Sequence, residues 1–139
     1  MTMLPRTLRL AAAAILLAAC GDDTPSEPTN QSVAGTWTLR TVNGSNLPYT
    51  LQQFGNDRIE LLNETISVQA SGTFTQQGTL RFTTGGLVTT EPYTDGGTYT
   101  LNGSTATFTF NSDGSTGVAA IGDDVLSVAY AGQTFVYRR

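Results

Sequence analysis

The side chains able to do acid–base, nucleophilic or metal chemistry are few in this chain. It contains no histidine, which removes an imidazole base, a proton relay and the commonest zinc ligand. All seven basic residues are arginine, so no lysine replaces the missing base and serine has nothing to activate it. The single cysteine, Cys20, has no partner for a disulfide within the chain. Carboxylates remain, and two of them suffice for glycoside hydrolysis. The candidates in the folded part are Asp57, Glu60, Glu64, Glu91, Asp95, Asp113, Asp123 and Asp124. Asp95, Asp113, Asp123 and Asp124 sit beside glycine or in turns, where aspartate serves the backbone. Glu60 falls on the polar face of its segment. Residues 111–114 (NSDG) have part of the look of a calcium loop but lack its oxygen ladder and closing glutamate. The pattern reads as non-enzymatic, with no metal and no cofactor expected.

Cys20 stands at a sharp junction. Arg6 and Arg9 precede an unbroken apolar run over residues 10–19 (LAAAAILLAA). That run is too short for a comfortable permanent span and fits the hydrophobic region of an export signal. Residues 21–32 carry Pro25, Pro28 and polar side chains and have nothing to fill a core, so they read as a tether of at most roughly 40 Å. Leu17, Ala18, Ala19 and Cys20 resemble the signal of bacterial lipoproteins: a leucine, two small residues and an obligatory cysteine. The resemblance implies a signal peptide over 1–19, diacylglycerol on the Cys20 thiol, cleavage before it, and a further acyl chain on the new amino terminus. Two or more chains anchor stably where one is marginal. The expected location is the cell envelope. Gly21 stands where inner-membrane retention signals carry aspartate, which favours the outer membrane.

Residues 33–139 must fold on their own account. The chain carries 24 threonines and 15 glycines, types that favour strands and turns. Charge is −4, and −6 once Arg6 and Arg9 leave (five basic against eleven acidic). An acidic chain without lysine is unsuited to phosphate backbones, so nucleic acid is not an expected partner.

Period-two alternation recurs throughout. Trp37, Leu39 and Thr41 share a face, as do Ile59 with Leu61, Ile66 with Val68 and Ala70, and Leu80 with Phe82. Residues 83–96 (TTGGLVTTEPYTDG) look like the loosest stretch, a contact loop or lid with Leu87 and Val88 as apolar handles. Beyond Gly97 the spacing predicts a register. A two-residue Asn102-Gly103 turn pairs Tyr99 with Ala106. Three-residue loops at 112–114 and 122–124 pair Phe108 with Val118, Ala120 with Leu126 and Val118 with Val128. An Ala131-Gly132 turn pairs Phe135 with Val128 and Tyr137 with Leu126.

The expected fold class is all-β: an antiparallel up-and-down meander of about eight strands that curls into a small barrel and so hides its apolar face and its edges. The second face is Thr, Ser, Gln and Arg, unlike the apolar outer band of a membrane barrel. Gly35 and Trp37 match the Gly-x-Trp that opens lipocalins, and the region resembles the small lipocalin-like domains of bacterial lipoproteins. The resemblance implies a Trp that closes one barrel end under an arginine near the last strand, here Arg138 or Arg139. It also implies carriage of a small apolar ligand in some members. The residues taken alone make Trp37 a core plug. Two partners thus follow: the membrane, through Cys20, and a small hydrophobic ligand or another envelope protein. A barrel this short, filled by its own side chains, is the alternative: a structural or interaction domain with no ligand.

Overall fold

A computed structural model describes residues 32–139. The leader, Cys20 and the tether up to residue 31 lie outside the described residues. The described chain has ten strands and no helix: β1 (Gly35–Val42), β2 (Ser45–Asn46), β3 (Tyr49–Phe54), β4 (Asp57–Val68), β5 (Thr73–Thr84), β6 (Leu87–Asn102), β7 (Thr105–Phe110), β8 (Thr116–Ile121), β9 (Val125–Tyr130) and β10 (Gln133–Arg138). Their order is β2-β1-β10-β9-β8-β7-β6-β5-β4-β3, and β1 also pairs with β4. That last pairing, from Gly35 opposite Val68 to Thr38 opposite Thr65, closes eight antiparallel strands into a barrel. Strands β2 and β3 hang outside the ring. Closure satisfies the backbone groups that an open sheet would leave at its edges.

The core is the inward face of this ring. Trp37, Leu39, Val42, Ile66, Val68, Phe74, Phe108, Leu126, Val128 and Tyr137 are all buried. Each such side chain contributes about 1.5–3 kcal/mol by leaving water. Phe74 meets Phe108 and Phe110 edge-on, with centroids 5.0 and 5.2 Å apart, the arrangement ring quadrupoles favour.

Three β-bulges reset which residues face in. One lies at Arg40, where the β1–β10 register jumps from Leu39 to Thr41. It turns Val42, not Thr41, into the core after Leu39. Another lies at Leu62 in β4, between Leu61 and Asn63. Upstream of it Ile59 and Leu61 point inward; downstream, Glu64, Ile66 and Val68 do. A bulge inserts one residue and so inverts facing along the strand. The third is at Leu51 in β3. Ala70 lies beyond β4, exposed in a turn.

The predicted register holds at the last hairpin, where Phe135 faces Val128 and Tyr137 faces Leu126. At β6–β7 the facing is right but the turn is displaced: Asn102 pairs Thr105, Tyr99 pairs Phe108 and Leu101 pairs Ala106. Gly103 and Ser104 make the turn, and Gly103 comes first with φ 61°, the position type II′ turns give to glycine. Around β8 the prediction slips by one. Phe108 faces Gly117, Ala119 faces Val128, and Ile121 faces Leu126. Val118 is therefore half exposed while Ala119 and Ile121 are buried. Neither flanking loop has three residues. Phe110 N–H donates to Ser115 O at 2.9 Å, which leaves residues 111–114 as a longer first loop, and Gly122 N–H donates to Val125 O at 2.7 Å, which leaves only Asp123 and Asp124 in the second. Residues 83–96 are not a loose loop. They complete a long hairpin in which β5 and β6 pair from Thr73 opposite Thr98 to Thr84 opposite Leu87. Leu87 and Val88 are exposed at its tip.

Candidate ligand-binding cavity

One end of the barrel is sealed. Trp37 is fully buried there, and its indole N–H donates to Val33 O at 2.8 Å. The guanidinium of Arg139 lies 4.5 Å from the centre of the Trp37 ring, within cation–π range. It also donates to Asp123 O from Nε and Nη2 at 2.9 and 2.7 Å, and to Ser32 O from Nη1 at 3.2 Å. The arginine over the tryptophan is thus Arg139. Arg138 ends β10 opposite Thr38 and Val125, exposed. Gly35 starts β1 beside this cluster; a Cβ there would lie 3.9 Å from Arg139 Nη1, at a φ of 134°.

Above the plug the barrel holds a cavity of about 570 Å³, within the range of small-molecule sites. Leu61, Ile66, Leu80, Phe108, Val128 and Phe135 are part of its apolar wall. It reaches the end opposite Trp37, where Gln52, Phe82, Ala131 and Gln133 line it.

Two carboxylates line this apolar space, Glu64 and Asp95. Glu64 is 3% exposed. The Leu62 bulge turns it inward, and Gly78 and Tyr93 lie across from it in the same row of β5 and β6. Gly78 has no side chain to block that row. A Cβ built there would sit 2.6 Å from the Tyr93 ring, so the phenol crosses the glycine and reaches the carboxylate. Tyr93 O–H donates to Glu64 Oε2, and Tyr137 O–H donates to Oε1 from the other side. Burial, then the Glu64 charge, holds both phenols protonated far above their ordinary range. Asp95 is not in a turn. It sits within β6, accepts from its neighbour Gly96 N–H at 2.7 Å on Oδ1 and from Ser112 Oγ–H at 2.6 Å on Oδ2.

These phenols make a testable prediction. A raised tyrosine pKa contributes stability that is full below the free phenol value of about 10 and erodes as pH rises beyond it. While the barrel stays folded, Tyr137→Phe is expected to leave the rise in phenolate absorbance between pH 7 and about pH 11 unchanged. Loss of one tyrosine's worth of signal in the folded variant would refute the buried, protonated state.

Glu60 and Asp113 serve the structure. Glu60 lies on the outer face, bonded through Oε2 to Arg81 Nε at 2.8 Å and Arg58 Nε at 3.0 Å. Arg81 first, then Arg58, pulls its pKa from 4.5 down to about 2. The Ser115 hydroxyl, and then the Ser115 N–H that donates to Asp113 Oδ1 at 2.8 Å, hold the Asp113 carboxyl below the usual range; this is turn chemistry. Among the described residues no three His, Cys, Asp or Glu side chains converge as a metal group.

The fold and cavity define a class: a closed eight-stranded antiparallel barrel, plugged at one end by tryptophan and arginine, with an internal apolar chamber. Residues 33–127 match the model of the lipocalin-like domain family. The chain belongs to that family. A crystal structure of a lipocalin-like protein from Bacteroides uniformis is similar at 16% identity, covering 76% of this chain and 96% of that one, with a TM-score of 0.41. No curated protein matches the chain.

The Glu64–Tyr93–Tyr137 group is not apparent from local periodicity in the sequence. Its signals were the Leu61-Leu62 doublet, which marks the bulge, and Gly78 in the middle of a strand. Both are faint until the pairing partners are known.

Proposed function

We propose that this protein is an envelope lipoprotein, lipid-anchored at Cys20, whose barrel carries a small apolar ligand without transforming it. The observation that carries the binding half is the cavity of about 570 Å³ behind an apolar wall; a solid-core interaction domain has no use for that volume. The anchor half rests on the Leu17-Ala18-Ala19-Cys20 motif and the leader before it. The outer membrane is the preferred address, from Gly21. A carrier role, not catalysis, suits the chamber, because protein donors hold both of its carboxylates in place and no histidine, lysine or cysteine lines it beside them.

Two measurements test the halves separately. Mass spectrometry of protein from its native host is expected to show an N-terminal Cys20 bearing acyl chains; an intact leader with unmodified Cys20 would end the anchor reading. Organic extraction of the same protein is expected to release an apolar molecule, and the emptied barrel to brighten an apolar fluorescent probe. A barrel that is empty on every isolation and ignores such probes would end the carrier reading.

A further inference from the structure

We propose that the cavity selects a cationic amphiphile: an apolar body bearing a protonated amine or quaternary ammonium. This rests on the carrier reading and names the ligand class. The charged side chains lining the chamber are Glu64 and Asp95, both acidic. None of Arg40, Arg58, Arg81, Arg138 and Arg139 lines it. Arg58 and Arg81 are engaged by Glu60 outside, and Arg139 lies over Trp37 at the sealed end. The chain has no lysine or histidine to supply another cation.

Glu64 is the group to which the ammonium would be drawn. It is nearly fully buried, and its partners in the structure are two neutral phenols. A buried carboxylate without a counter-charge is costly, and a cation that brings its own apolar shell offsets that cost. Each carboxylate oxygen has a second lone pair, so the phenols leave acceptor capacity for an N–H donor. The surrounding wall is rich in aromatic faces, including Phe82, Phe108, Phe110, Tyr130 and Phe135, and such faces attract ammonium groups most strongly where water is excluded. A fatty acid would meet the reverse: two negative neighbours and no arginine to receive its headgroup.

The test compares decylammonium, decanol and decanoate, equal in chain length and differing in head charge. Binding is measured near pH 7 to the full chain carrying Cys20→Ser, to that chain with Glu64→Gln, and to that chain with Asp95→Asn. The expected result is decylammonium about tenfold tighter than decanol and decanoate weakest. Glu64→Gln should reduce the ammonium preference to about threefold or less while decanol binding holds. Asp95→Asn, which keeps Glu64 in place, should reduce it by a smaller factor and keeps the test alive should the Glu64 variant fail to fold. Decanoate binding as tightly as decylammonium, or an ammonium preference untouched by both substitutions, overturns the proposal and leaves the carrier reading standing. Failure of all three probes to bind overturns both.

Discussion

Trp37→Ala is expected to destabilise the barrel by about 3–5 kcal/mol, the range for emptying a large aromatic site in a packed core. The loss has three parts. The indole leaves a void at the sealed end where it is now fully buried. Val33 O loses its donor, and a buried carbonyl left unpaired costs about 1–3 kcal/mol. Arg139 loses the ring beneath its guanidinium. Urea unfolding followed by circular dichroism measures the total, since the chain's one tryptophan is the residue removed. The arginines give the control. Arg139→Ala should cost about 1–2 kcal/mol through the stack and its carbonyl bonds. Arg138→Ala, an exposed change, should stay within about 0.5 kcal/mol. Equal effects at the two positions would mean that the cation over the ring does not hold the plug.

Gly97→Ala is expected to be as damaging for the opposite reason. A Cβ at Gly97 would stand 1.8 Å from Thr109 O and 3.0 Å from Phe74 Cε1. The nearer atom is backbone and cannot rotate away, so β6 and β7 must separate where Gly97 faces Phe110. Overpacking in a tight core costs about 1–3 kcal/mol and occasionally more; a clash with main chain belongs at or above the top of that range. Gly55→Ala is the comparison, with nothing within 4 Å of its Cβ and φ at 63°. Only backbone strain applies there, about 1 kcal/mol. Thermal melts of the two variants should therefore differ widely, and a Gly97 variant no worse than the Gly55 variant would contradict the close strand approach.

How much of this was legible in the chain varies with the strength of the alternation. At β9–β10 the largest apolar side chains, Leu126, Phe135 and Tyr137, share one face, and the register follows. In β8 the segment GVAAI has apolar residues on both parities, so facing is decided by Ile121, which belongs inside, and by loops that are one residue longer before the strand and one residue shorter after it than the turn chemistry suggested. The first part of β6, over residues 87–96, has too few apolar residues to announce a strand; its long pairing with β5 makes it one. The Trp37 plug was readable from Gly35-Thr36-Trp37, although Arg139 and not Arg138 covers it. The polar group inside the chamber was not readable. It depends on a bulge that swings Glu64 through the sheet and on a glycine that lets Tyr93 lie flat, and both are relations between strands, which local periodicity does not encode.

The chain enters the barrel at Ser32 and Val33, beside the tryptophan plug. Whatever precedes it is therefore joined to the shut base, on the far side from the mouth lined by Gln52 and Gln133. With a lipid at Cys20, the leash is tied to the closed foot of the vessel and its rim is the untethered end. The leash therefore leaves the rim clear for cargo to enter and leave.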